Sequence, residues 1–226
     1  KKGKPANVVF RRVDGSIEPA MYAAGCGEAI CPTEVYRRGE YYRTVVLPPL
    51  LADIAADKFD MLNNNWEPQQ CLRGCFCNRC RDEFIAYSKL PPDQVKAAWP
   101  GGIQEKWRDL WIKFRAWQMG RLITTIEEDV CGEGRKHGKD FHFLPAITSQ
   151  AMRDSETARF PTYNPEEYIK TLPWICPWGP YVFRDMNSPY VYNNASYLPV
   201  FLCARDVQAY LAERISDPAK FPKLIA

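Results

Sequence analysis

Three cysteines fall within six residues, Cys75-Phe76-Cys77-Asn78-Arg79-Cys80, and Cys71 lies just ahead of them. Cys75 and Cys77, one residue apart, are too close in the chain to bridge each other readily. Thiolates gathered on a short loop do suit a tetrahedral metal ion, which asks for a fourth ligand. Cys71, Cys31 and Cys26 are the candidates. All-thiolate ligation leaves no position for water, so a metal held this way is structural rather than catalytic. Nine cysteines in 226 residues is an odd count and a poor disulfide framework. The plain alternative is a set of free thiols in a reduced protein. A redox pair is a weaker one: Cys77 and Cys80 have Cys-x-x-Cys spacing but not the setting of a thioredoxin first helix.

Hydrophobic residues make up 46% and aromatic residues 13%, enough for a packed core and unlike a disordered chain. A net charge of +3 is too weak a bias to argue for nucleic acid or an acidic membrane as partner. No apolar run reaches the roughly 18 residues that span a bilayer, so a membrane-spanning chain is not expected. Lys1 to Pro5 is basic, but no apolar stretch follows to make a signal peptide. With only His137 and His142, a His-based hydrolase or a catalytic zinc site has little support, and strand-flanking roles are expected for both.

No repeat or linker divides the chain, so residues 1–226 read as one domain or a portion of one. Val8 to Phe10 is a short apolar run leading to a turn at Asp14-Gly15. Pro32-Thr33-Glu34 starts a helix that Pro48-Pro49 must kink or interrupt. Strands are expected at Phe59–Leu62, Phe141–Ile147, Trp174–Cys176 and from Phe221. Helices are expected at Asp82–Leu90, Ile103–Val130 and Leu198–Ile215, the second with Trp107, Leu110, Trp111, Phe114, Trp117 and Leu122 on an apolar face. Strand, polar tip and helix in alternation predict a parallel α/β fold of the (β/α)8 TIM-barrel type or an open sheet, with functional residues after the strand ends. No Gly-rich phosphate loop is present.

The tip after the first of these strands is Asn63-Asn64-Asn65-Trp66-Glu67-Pro68. A carboxylate beside an aromatic face and amides is a carbohydrate-like setting, in which Glu67 is a candidate general acid and Asn65 and Trp66 candidate sugar contacts. A solvated loop glutamate is the plain alternative. The strand Trp174–Cys176 opens onto a later tip that carries Trp178 and Tyr181, and these two with Trp174 are further candidates to line a sugar site or simply to pack.

Cys31-Pro32-Thr33-Glu34-Val35-Tyr36-Arg37, Asn65-Trp66-Glu67, the cysteine loop with Phe84, Val95 to Trp99, and the helix around Trp111 and Phe114-Arg115 together resemble glycoside hydrolase family 42, the β-galactosidase-like enzymes. The resemblance covers roughly residues 10–130 and, more loosely, the strands beyond. It implies the middle part of a (β/α)8 catalytic barrel, incomplete in this chain because a whole barrel takes about 250 residues. It implies one structural zinc on Cys31, Cys75, Cys77 and Cys80. It implies a retaining hydrolase of a β-linked glycoside, β-galactoside-like or a related plant or microbial saccharide. Glu67 is then the acid/base, and the nucleophile is a Glu outside this chain. The family usually has Asn directly before that Glu; here Trp66 has the place. That change, and the lack of a nucleophile, favour a second reading as a non-catalytic, zinc-stabilised barrel scaffold or carbohydrate-binding protein. The expected partners are a carbohydrate and the remainder of the barrel. A homo-oligomer is a further expectation, since family members are often oligomeric. Thiolate zinc fits a reducing, cytoplasmic interior, and a signal peptide in a missing N-terminus would make the protein secreted.

Overall fold

The structure is a computed structural model, and it describes residues 4–19, 28–56, 62–64, 74–147, 174–177, 208–209, 211–213, 215–221 and 223–224. An N-terminal ribbon comes first, with antiparallel bridges Val9↔Ile30, Arg11↔Ile17 and Pro19↔Glu28. Gly15 takes φ +82° at the turn between Arg11 and Ile17, the position where a missing Cβ makes a left-handed backbone inexpensive.

Helix α1 spans Pro32–Tyr36, with proline in its first turn, where no amide hydrogen is needed. The chain turns at Arg38 and Gly39 and enters a π-helical turn, Tyr42–Val46, which runs into α2, Leu47–Ala55. Pro48 and Pro49 therefore sit in the first turn of a new helical segment instead of kinking a longer one. Helix α3 is Asn78–Ser88, ended by Lys89 in the left-handed conformation (φ +60°). Helix α4 is Pro92–Ala98 and α5 is Ile103–Lys106. The long helix expected over 103–130 is broken at Trp107, whose φ of −140° is not helical. Its main part, α6, is Arg108–Ile126; a π-helical turn, Glu127–Cys131, leads into α7, Gly132–Lys136.

Four short strands lie among the described residues: β1 Leu62–Asn64, β2 Phe143–Ile147, β3 Trp174–Pro177 and β4 Lys223–Leu224. They pair in parallel in sequence order, with Leu62 opposite Phe143, Ala146 opposite Cys176 and Trp174 opposite Lys223. Of the helix expected over 198–215, positions 208–209 and 211–213 are helical, and Leu211 is buried.

The expected (β/α)8 barrel, whole or partial, is not what the described residues form. Their body is helical, the strands are only two to five residues long, and the N-terminal ribbon is antiparallel. The physical reason lies in where apolar surface is buried. A barrel buries it between a closed ring of strands and an outer ring of helices. Here most of the described burial is helix against helix. One cluster joins Val35, Tyr42 and Ile54 to Met119, Leu122 and Ile123 of α6 and to Phe141, Phe143 and Leu211. A second joins Phe76, Phe84, Val95, Ala98 and Ile103 to Trp111 and Phe114 at the start of α6. Sequence alternation reports the order of elements and says nothing of closure.

Ion pairs tie the outer turns together. Arg38 reaches Asp129 at 3.0 Å and Glu128 at 2.6 Å, joining the turn after α1 to the one after α6. Buried Glu127 accepts the Phe143 amide at 2.6 Å and an Arg135 guanidinium N–H at 2.6 Å. His142 lies beside β2, 3.0 Å from the same carboxylate.

In the aromatic cluster, Phe84 is fully buried and meets Trp111 and Phe114 edge-on at centroid separations of 5.4 and 5.3 Å. Truncating it removes those contacts and leaves a cavity. Phe84→Ala is expected to cost about 3–5 kcal/mol in urea unfolding; a midpoint unchanged from the parent protein would contradict this packing.

Candidate metal centre

The two helix starts α1 and α3 are both preceded by cysteine. Cys31 and Cys77 occupy the N-cap positions, where Ser, Thr, Asp or Asn would ordinarily hydrogen-bond the first turn. Neither side chain caps its helix. Both thiols instead meet those of Cys75 and Cys80, and the four sulfur atoms all lie within 4.8 Å of one another. Cys31 Sγ is 3.4 Å from Cys80 Sγ and 3.5 Å from Cys77 Sγ. Cys77 and Cys80, three apart across the first turn of α3, share one side of it.

Backbone pairing brings the three segments into place. The Cys31 amide donates to Val8 O at 2.9 Å, which fixes Cys31 on the ribbon. The Phe76 amide donates to Arg11 O at 2.8 Å, and the Arg11 amide lies 3.5 Å from Cys75 Sγ. Trp99 Nε1 donates to Phe76 O at 3.0 Å from behind. Gly74 opens the loop at φ +64°, and a Cβ there would stand 2.5 Å from Trp111 Cζ2. Only glycine allows both that backbone and that approach.

The donor set fits a soft divalent ion. Zinc–sulfur bonds of about 2.3 Å at tetrahedral angles place sulfur atoms about 3.8 Å apart, close to the separations seen here. All four thiols are free of disulfides, and Cys31, Cys75 and Cys80 are buried, with Cys77 half-buried. Burial pushes the Cys75 and Cys80 thiols well above the ordinary thiol range. Cys77 is pulled far below it, first by the hydrogen bonds it accepts from Cys31, Cys75 and Cys80. Burial raises Cys31 too, but hydrogen bonds from Cys75 and Cys80 leave it lowered. The four sulfurs thus share protons that an arriving metal ion must displace. Cys131, also free and buried, stands outside the group; burial, with Glu127 close by, pushes its thiol up and keeps it protonated.

A polar shell surrounds the sulfurs. Thr33 Oγ1 lies 3.2 Å from Cys80 Sγ, and Gln118 Nε2 of α6 lies 3.5 Å from the same atom. Gln118 Nε2 also donates to Thr33 Oγ1 at 3.1 Å and to Tyr36 Oη at 3.2 Å. Burial holds the Tyr36 hydroxyl well above its usual value, so it stays neutral. Arg79, within the loop, pairs with buried Glu34, whose other oxygen accepts the Tyr42 amide at 3.2 Å. Burial works against the Arg79 charge, and the charges of Cys31, Glu34 and Cys77 more than offset it.

The spacing singled out Cys75, Cys77 and Cys80 and the resemblance implied Cys31 as the fourth, and the structure places all four in one group able to hold a metal ion. The alternative ligands Cys71 and Cys26 lie outside the described residues, as do Glu67, Asn65, Trp66, Trp178 and Tyr181. The residues that sequence reasoning missed are Thr33, Glu34, Arg79, Arg115 and Gln118. One signal was present: Arg115 and Gln118, three apart, interrupt the otherwise apolar stripe of α6. Compared with protein-family models, curated proteins and solved structures, the chain matches none.

Metal binding that releases thiol protons strengthens as pH rises and weakens as it falls. Native mass spectrometry of the chain given zinc as a probe is expected to show one ion per chain, lost on acidification. Cys80→Ser is expected to lose that ion and Cys131→Ser to keep it; equal uptake by the two variants would contradict the site.

Proposed function

We propose that this chain belongs to a retaining glycoside hydrolase acting on β-linked glycosides, with its cysteine loop stapled by one structural zinc. The observation that carries the proposal is the convergence of Cys31 with Cys75, Cys77 and Cys80, the set that the family-42 resemblance singled out across a separation of more than forty residues. With the barrel set aside, that cysteine set and the neighbouring residues quoted above are its support. Zinc is favoured because four soft thiolates select it over harder divalent ions, and four protein ligands close the site to water.

The zinc supplies no chemistry in this reading; it fixes the loop that follows Glu67. Glu67 protonates the leaving glycosidic oxygen and then takes a proton from the incoming water. A second carboxylate, about 5 Å from it, attacks the sugar and forms the covalent intermediate. In this reading Asn65 hydrogen-bonds the sugar, and Trp66, Trp178 and Tyr181 are its aromatic contacts.

A second reading is a zinc-stabilised carbohydrate-binding protein without hydrolysis. Trp66 in the place of the family's asparagine favours it, since that asparagine ordinarily holds the sugar 2-hydroxyl.

A panel of aryl β-glycosides separates the two. Hydrolysis that falls about 10²- to 10⁴-fold in Glu67→Gln, with zinc content unchanged, is the result expected of the hydrolase. Saccharide binding with no turnover of any substrate would move the assignment to the second reading. Turnover indifferent to Glu67→Gln would remove Glu67 from the mechanism.

A further inference from the structure

Between its aromatic and aliphatic ends, α6 turns two polar side chains into the protein interior. Arg115 is 1% exposed and Gln118 0%. A buried guanidinium ordinarily has a carboxylate to balance it, because an unpaired charge away from water is costly. Among the described residues Arg115 has no such partner. One of its terminal nitrogens donates to Gln118 Oε1, its Nε has no hydrogen-bond partner, and its guanidinium carbon stands 5.8 Å from the Phe10 ring centroid and 5.9 Å from that of Trp111. Phe10 in turn packs against Cys31, Cys75 and Cys80.

The direction of the hydrogen bonds is informative. Because Arg115 takes the Gln118 oxygen, the amide nitrogen must face Cys80, Thr33 and Tyr36. The result is a relay of donors, Arg115 to Gln118 to Cys80 Sγ, that ends on an atom able to accept only strongly when it is a thiolate. Four thiolates around a divalent ion leave the centre net dianionic, and that negative charge lies one side chain away from a cation that has no carboxylate partner among the described residues.

We infer that Arg115 is the counter-charge of the four-cysteine metal centre and positions the Cys80 thiolate through Gln118. The inference rests on the metal reading above. Metal loading balances Arg115, and Arg115 in turn favours the ionised, metal-bound sulfurs. The packing of α6 and the filling of the site are one event. Partners of this kind, which act through a ligand, are commonly worth about 10- to 100-fold in metal affinity.

The test is zinc affinity by competition with a chromophoric chelator, together with thermal unfolding with and without zinc, on the full chain and on Arg115→Met and Arg115→Lys. Arg115→Met is expected to bind zinc about 10- to 100-fold more weakly. Its metal-free form is expected to unfold no lower than the metal-free parent, because it no longer buries an unbalanced charge. Arg115→Lys, which keeps the charge, is expected to retain most of the affinity. A purely structural arginine gives the opposite pattern: zinc affinity unchanged and both forms of Arg115→Met destabilised alike, which would overturn the inference. If Arg115→Met does not fold, Arg115→Lys against Arg115→Gln compares charge with a neutral polar group, and equal affinities overturn it. A parent chain that takes up no zinc is a different failure, since it removes the metal reading itself.

Discussion

Four sulfur atoms crowd together beneath Phe10, brought there by a ribbon, a loop and the first turns of two helices. Such a group does not hold together by hydrophobic contact. Burial penalises each charge that a sulfur carries, and hydrogen bonds between the sulfurs offset part of that cost. The surrounding chain pins the group from several sides. Backbone bonds from Cys31 to Val8 O and from Phe76 to Arg11 O, with the Trp99 indole N–H donating to Phe76 O, fix the approach of each segment. Thr33 and Gln118 meet Cys80, and Arg79 braces the loop against Glu34. The four sulfurs are close enough to hold a metal ion, which would give the three segments a common anchor.

Helix α6 links this centre to the rest of the molecule. Its first turns pack Trp111 and Phe114 into the aromatic cluster, and its later turns pack Met119, Leu122 and Ile123 into the aliphatic one. Arg115 and Gln118 lie between, with Gln118 reaching Cys80 Sγ and Arg115 bonded to Gln118. The metal centre and both cores therefore share one element. Just past the end of α6, Glu127 accepts the Phe143 amide and so ties the helix to the start of β2.

The cysteine set was legible because its chemistry is local and stringent: few residue types bind soft metals, and the spacing of Cys75, Cys77 and Cys80 puts three on one loop. Cys31 was open among three candidates from spacing alone, and the family-42 resemblance pointed to it. The barrel was over-read because strand and helix periodicity carries no information about ring closure, and the burial of Trp111, Phe84 and Phe114 against one another is equally consistent with a helical body. The break at Trp107 was missed because an apolar period of 3.6 runs straight across it. The starts of α2 and α3 were missed for another reason. Pro48-Pro49 is as good at opening a helix as at breaking one, and Cys77 is not a residue expected to stand at a helix start. Polar residues around the sulfurs are common types whose role depends on a fold that spacing does not reveal.

The central claim is that one metal ion holds Cys31, Cys75, Cys77 and Cys80 together. X-ray absorption at the zinc edge of the loaded chain tests it most directly. The account predicts a single shell of four sulfur neighbours at about 2.3 Å with no nitrogen or oxygen contribution. A shell of mixed oxygen and nitrogen ligands, or of fewer than four sulfurs, would contradict it.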